Sequence, residues 1–494
     1  MRANDLSDRP EIDPEICWQA IYSRDRRFDG RIFAGVVTTG VYCRPICPVP
    51  LRKPANVRWY PSAASAEAAG FRPCRRCRPH TSPGTPAWLG TSGVVSRALK
   101  LISAGALDVG GVDALAERVG LGSRHLRRLF LQHLGASPVK IASTRRVHFA
   151  RNLLDQTDLA ITKIASYSGF KSVRQFNHAM RTTFEMSPTR LRAQRSGAKA
   201  AAGHGGITLY LPYRPPFDWN TMIRFLKDRA TPGTEFIEDK CYRRTVELGG
   251  RAGEIEVRPH PNEPLLRVRV TLPSYEQLML VVERVRRIFD LGADPLQITS
   301  HLSRDSRLGE MLRARPGLRV PGAWDAYELA VRALLGQQLT FVDGKAIIAR
   351  LVRTFGRPIK SSAPKLTHLF PRPEVLAAAN LASIGIPPAR AETLRALARA
   401  TCQGKLDPAN CKSLDDVISR LCAIHGMGRR RADYIAMRAF GEPDAFPSGD
   451  LGLRRSLASS RTLMSEDEFL HFAENWRPWR SYAAIHLWAA AADR

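Results

Sequence analysis

The sequence predicts a multidomain α+β protein: a small four-cysteine α/β domain, an all-α domain of two helix-turn-helix units, a β-rich α+β domain and a final all-α domain. Three observations carry this. At 494 residues the chain is too long for one hydrophobic core. Two stretches of small and turn-forming residues, TSPGTPAWLGTS over 81–92 and RSGAKAAAGHGG over 195–206, divide it. Beyond the second, strand-like alternation in ITLYLPYRPPFDW and EIEVRPHPNEPLLRVRVTL changes after Pro316 to helical periods. The expected domains are 8–82, 90–194, 207–312 and 313–494.

Composition narrows the partners. Lys and Arg number 75 against 46 Asp and Glu, a formal net charge of +29, which points to a polyanion, foremost nucleic acid. The opening MRANDLSDRPEIDPE lacks the apolar run of a signal peptide, and no stretch approaches a membrane span. Nine cysteines, an odd number, argue against a disulfide framework and for a reducing cytoplasm. The expected molecule is a monomer without a membrane partner, associated with the nucleoid.

The first segment carries Cys43-x3-Cys47 and, 26 residues on, Cys74-x2-Cys77, a spacing that suits one tetrahedral Zn2+ site. Most such clusters only staple a small fold. Four thiolates around Zn2+ nevertheless carry a net −2, so their sulfurs stay nucleophilic and repel a phosphate backbone. Alkylating one sulfur removes a negative charge and should raise DNA affinity. Spacing and charge leave staple and nucleophile both open. The stretch RIFAGVVTTGVYCRPICPVPLRKPANVRWYPSAASAEAAGFRPCRRCRP resembles the N-terminal domain of the Ada-type methylphosphotriester methyltransferases. That resemblance implies that Cys43 takes the methyl group irreversibly, with Cys47, Cys74 and Cys77 as the remaining ligands.

The second segment is a repeat: Leu126, Phe130 and Leu134 fall fifty residues before Phe176, Met180 and Phe184. Each copy reads as helix, glycine-containing turn, second helix. With Val173, Phe176, Met180 and Phe184 as the buried stripe, Arg174, Gln175, Asn177, His178 and Arg181 point outward, and the first copy offers Arg124, His125, Arg127 and Arg128. Arg, Asn and Gln pair well with base edges in the major groove, although an ordinary bundle also keeps a solvated basic face. IASYSGF with the following MSPTRLR resembles the AraC-family DNA-binding domain, which implies a transcriptional regulator, activator or repressor, with RNA polymerase as a further partner.

An Ada-type regulator usually ends in an O6-methylguanine methyltransferase with a Pro-Cys-His-Arg motif. That motif is absent, so this activity is not expected. In its place LCAIHGMGRRRADYIAMRAFGEPDAFPSGDLGLRRSL fits a helix-hairpin-helix over 421–432, with Gly426 and Gly428 letting the backbone approach a phosphate. Asp450 follows in a loop. Such an Asp is ordinarily a helix cap, but a carboxylate at a base pocket can stabilise the cationic sugar of a breaking glycosidic bond. Together with RPGLRVPGAWDAYELAVRALLGQQ and WRPWRSYAAIHLW, this resembles the AlkA-type 3-methyladenine DNA glycosylase II across most of the C-terminal half. The resemblance implies Asp450 as the catalytic carboxylate, Phe225, Tyr434 and Trp488 as the aromatic base pocket, and a monovalent cation at the hairpin. Aromatic faces attract the cationic alkylated purines, which must be flipped out of the duplex.

Two residues depart from that pattern. Arg430 stands where a pocket Trp is common, and a cation there disfavours a cationic base unless it points away. Gln338 stands where a Leu wedge fills the gap left by the flipped base, leaving Gln337 or Gln338 to do so. Arg430 also takes the position of the Schiff-base Lys of bifunctional relatives; an arginine stays protonated, so no lyase activity is expected. The expectation is a fused protein that takes methyl from phosphotriesters, switches on promoters and excises alkylated bases. The alternatives are a sensor whose glycosylase half only grips DNA, and a repair enzyme whose helix-turn-helix pair docks without sequence preference.

Overall fold

The computed structural model describes residues 13–50, 53–83, 93–195, 206–336, 341–407, 410–457 and 463–493. Most of both expected linkers lies outside these residues, as do Gln337 and Gln338. The first domain is a four-stranded sheet of β1 (Phe33–Val36), β2 (Val41–Cys43), β3 (Val57–Tyr60) and β4 (Arg72–Pro73) in the order β3-β1-β2-β4. The turn after β1 folds β2 back so that Ala34 pairs with Cys43. Phe33, Tyr42, Tyr60 and Phe71 form its small core. So few apolar side chains give little hydrophobic stabilisation, which makes a metal cross-link physically sensible here.

The helix-turn-helix pair shares one long helix, Pro138–Gln156, started by Pro138 after the Ser137 cap. The recognition helices are Ser123–Leu134 and Val173–Phe184. Leu126, Phe130, Leu134, Phe176 and Met180 are fully buried, as the repeat predicts. Val173 is not: at 39% exposure it leaves the stripe, because it follows the Ser172 cap and starts the helix clear of the core. Phe184 is half-buried and meets the His80 ring of the first domain edge-on at 5.9 Å.

The third region is an antiparallel sheet of β5 (Ile207–Pro212), β6 (Glu235–Glu238), β7 (Cys241–Leu248), β8 (Arg251–Pro259) and β9 (Leu265–Thr271), ordered β5-β9-β8-β7-β6. Helices appear well before Pro316: Trp219–Asp228 lies between β5 and β6, and the amphipathic helix Leu278–Ile288 covers this sheet with Leu278, Val281, Val282, Val285 and Ile288. Buried charges tie sheet to helices. Arg244 on β7 bonds Glu235 at 3.1 Å and Glu328, on the helix Ala326–Leu335, at 2.7 Å. The last region is helical to its end, around Leu329, Leu394, Leu421, Ile435 and Leu453. Among the described residues no helix is long and apolar enough to cross a membrane.

Candidate functional site

Two centres assemble. In the first, Cys43 ends β2 and Cys47 follows its turn, while the Cys74 amide donates to the Tyr42 carbonyl and so carries the second pair alongside. The four Sγ atoms lie within 4.8 Å of one another. A tetrahedron with Zn–S bonds of about 2.3 Å has edges of about 3.8 Å, so the donor set fits zinc. Four sulfurs this close cannot all ionise against one another without a cation, a second reason that the cluster suits a metal. All four are buried to a similar degree, at 4–9% exposure, so accessibility does not single out one sulfur.

Neighbours the sequence did not reveal hold this centre. Arg44 is buried, pairs with both oxygens of Asp29, and donates to the Cys77 carbonyl at 3.1 Å and to Thr81 Oγ1 at 2.6 Å. Glu67 accepts from Tyr42 Oη at 3.0 Å and Thr144 Oγ1 at 2.7 Å, and lies 2.9 Å from His148 Nε2 and 3.3 Å from Lys140 Nζ. Lys140, Thr144, His148 and Asn152 recur every fourth residue along the long shared helix, and Asn152 donates to the His80 carbonyl. One helix face is thus given to the cysteine domain. Burial alone would raise the Glu67 carboxyl, but His148, Lys140 and Thr144 outweigh it and lower it to about 2. On the recognition helices Arg124, His125, Arg127, Arg128, Arg174, Gln175, His178 and Arg181 are exposed and Asn177 half-exposed.

The second centre lies beside the hairpin that joins the helices Leu414–Cys422 and Arg429–Ile435. Met427 anchors the hairpin in the core while His425, Gly426 and Gly428 face solvent. Gly426 adopts φ +78°, and a Cβ there would sit 2.3 Å from Thr393 Oγ1; Gly428 faces open space. The first glycine therefore serves packing and the second leaves the backbone open to a ligand. Asp450 caps the start of the helix Leu451–Leu457 and also bonds two side chains of the expected site. Its Oδ1 accepts from the Leu453 amide at 3.1 Å and from Trp488 Nε1 at 3.2 Å, and its Oδ2 from Arg430 Nη2 at 2.9 Å.

Trp488 meets Tyr434 edge-on at 6.1 Å, and Arg438 links Tyr434 to Phe225, with its guanidinium 5.3 Å and 4.9 Å from the two ring centroids. Asp450 and the three expected aromatic residues are thus brought together. The cation–π expectation needs one correction: the Phe225 face already carries the protein's own Arg229, 3.8 Å from its centroid. Tyr434 is lowered despite burial, because Arg438, Arg229 and Arg332 surround it. These arginines have no motif of their own; the polar i+4 spacing of Tyr434 and Arg438 on one helix was the available signal.

The fold and the two centres define a class: a four-thiol metal domain and a double helix-turn-helix joined to a helix-hairpin-helix glycosylase fold. Residues 16–80 match the metal binding domain of Ada, 115–194 a helix-turn-helix domain and 208–325 the AlkA N-terminal domain. The chain is 40% identical over 479 residues, 96% of each protein, to the probable bifunctional transcriptional activator/DNA repair enzyme AlkA of Mycobacterium tuberculosis. It belongs to that family. DNA-3-methyladenine glycosylase 2 of Escherichia coli K12 is 32% identical over 281 residues, covering 56% of this chain and 95% of that protein. The solved 3-methyladenine DNA-glycosylase of Archaeoglobus fulgidus matches 57% of this chain and 98% of its own with a TM-score of 0.52 at 20% identity, a likeness of fold.

Proposed function

We propose that this protein senses and repairs alkylated DNA with two separate centres. The glycosylase half hydrolyses the N-glycosidic bond of damaged bases. The observation that carries this is Asp450, held by Trp488 and Leu453 at the edge of the Tyr434–Phe225 pocket and one helix from the hairpin. With the hairpin backbone on a phosphate, its carboxylate faces the sugar of a flipped nucleotide. As the bond from C1′ to the base breaks, the electron pair leaves with the base, the carboxylate stabilises the positive charge on the sugar, and water adds at C1′. A monovalent cation at the hairpin carbonyls belongs to the same reading.

In the N-terminal half Cys43, Cys47, Cys74 and Cys77 would hold Zn2+, which when bound keeps the sulfurs as thiolates. The Cys43 sulfur attacks the methyl carbon of a phosphotriester, the C–O bond breaks, and its electron pair stays on the phosphate oxygen. The product is S-methylcysteine and an ordinary phosphodiester, and the domain loses one negative charge. Recognition helices bearing Arg124, Arg127, Arg174, Gln175, Asn177 and Arg181 then hold promoter DNA more tightly, recruiting RNA polymerase on the bacterial nucleoid.

Base release from duplex DNA carrying either a methylated purine or hypoxanthine, by wild type and Asp450→Asn, tests the first half. Wild type should release base and the variant about 10²-fold less or slower still. Equal release by both would remove Asp450 from the reaction. Mass spectrometry after exposure to methylphosphotriester DNA should find one added methyl, on Cys43. A second reading, a sensor whose glycosylase half only grips DNA, is favoured by the Arg430 contact on Asp450; it predicts binding without base release.

A further inference from the structure

Arg430 enters the second centre from its rim. It is the second residue of the helix Arg429–Ile435, and its Cβ packs 3.5 Å from the place a Cβ on Gly449 would take. Its side chain is 44% exposed and that of Asp450 20%, so the guanidinium partly covers the carboxylate from the solvent side. It does not point away from the site. The remaining walls are cationic too, with Arg229 3.8 Å from the Phe225 centroid and Arg438 Nη1 donating to Tyr434 Oη at 2.5 Å.

This arrangement treats two kinds of damaged base differently. A purine carrying a methyl-induced positive charge meets the guanidiniums of Arg430, Arg229 and Arg438, and the last two already lie over the Phe225 and Tyr434 rings. It also leaves as a neutral molecule, so a cationic donor gives its departure no help. An uncharged base avoids that repulsion. When its bond to C1′ breaks it takes the electron pair and becomes anionic, and a donor beside it then stabilises the transition state. Arginine has five N–H donors in a planar fork, and the bond to Asp450 uses one.

We propose that Arg430 is a specificity-determining residue that turns this pocket toward uncharged damaged purines with a hydrogen-bond-accepting edge and away from cationic N-methylpurines. The proposal rests on the glycosylase reading. In the reaction the C1′–N bond breaks and its electrons spread over the base, whose acceptor edge takes an N–H of Arg430. Water adds its oxygen to C1′, and the proton it sheds ends on the base. Arg430 keeps its own protons throughout.

The test uses the full-length protein and two duplexes of one sequence, one with hypoxanthine and one with cationic 7-methylguanine. Single-turnover release gives a ratio of neutral to cationic rates for wild type, Arg430→Trp, Arg430→Ala and Arg430→Lys. The expected ratio falls about tenfold or more in the Trp and Ala variants and is largely retained in Lys. Arg430 is on the rim, so folding should survive, and the hypoxanthine and 7-methylguanine rates serve as each other's control. A ratio within twofold of wild type in both Trp and Ala overturns the proposal and leaves the glycosylase reading intact. No release of either base by wild type or any variant overturns both.

Discussion

Lys100 Nζ lies 2.5 Å from the Gly441 carbonyl oxygen and 3.2 Å from that of Phe440, so a residue of the DNA-binding half closes the C-terminus of the helical segment bearing Tyr434 and Arg438. Arg97, one turn earlier, pairs with Glu442 at 2.9 Å. A cation at a helix C-terminus opposes the helix dipole, and the donor satisfies carbonyls that lack a helical partner. The two halves are therefore latched rather than merely tethered. Lys100→Met combined with Glu442→Gln should cost about 2–4 kcal/mol of docking. Small-angle scattering should show a larger radius of gyration, with base release per bound protein little changed.

The same lysine makes the latch sensitive to pH. Burial lowers Lys100 to about 8 in the folded protein, against an ordinary 10.5. Between those values the unfolded chain binds more protons than the folded one, so stability contributed by this site rises as pH rises through the window. The difference in melting temperature between wild type and Lys100→Met should therefore shift in favour of wild type from pH 8 to pH 10.5. A difference independent of pH would count against a buried, partly deprotonated amine.

The two hairpin glycines should separate by mechanism. Gly426→Ala forces a Cβ onto Thr393 at a positive φ and should lower stability by about 2 kcal/mol. Gly428→Ala meets open space and should stay within about 0.5 kcal/mol of wild type. Its effect should appear instead as weaker binding to undamaged duplex. Thermal melts and fluorescence anisotropy on the two variants distinguish the roles.

Glu67 is one of the contacts through which the cysteine domain holds the shared helix. Tyr42, its partner, is the residue before Cys43, which puts one side chain between the proposed methyl acceptor and the helix-turn-helix pair. Glu67→Ala leaves several buried donors without an acceptor and should cost about 3 kcal/mol. Mobility shifts with methylated and unmethylated protein should show the gain in promoter affinity on methylation reduced about tenfold, while zinc content is unchanged.

Metal removal should act locally. One Zn2+ per chain is expected by elemental analysis, and Cys47→Ser or a strong chelator should remove it. With a core as small as the Phe33, Tyr42, Tyr60 and Phe71 cluster, the first sheet should then unfold while base release persists. Loss of base release on chelation would show that the glycosylase half depends on the metal domain.

Much is legible in the sequence because it is local. Paired cysteines, the fifty-residue echo of Leu126, Phe130 and Leu134, and a glycine hairpin ahead of Asp450 each lie within a few turns of chain, where spacing alone sets chemistry. Two local readings still failed. Val173 fits the helical period but begins its helix beyond the core, and the helices before Pro316 were hidden because a sheet-covering helix rich in Val and Arg resembles a strand when read alone.

What only the tertiary structure decided are the relationships between distant residues. Arg430 was a departure of uncertain direction until folding brought it, across twenty residues, to Asp450. Glu67 sits in an alanine-rich helix with no signal of its own, and Lys100 is one basic residue among 75 until it reaches Gly441. The sequence by itself determined which chemistries the chain can hold, since donor types and their spacing are written in it. Packing determined which charges face which, because the field at a carboxylate or a ring depends on distance through the fold and not along the chain.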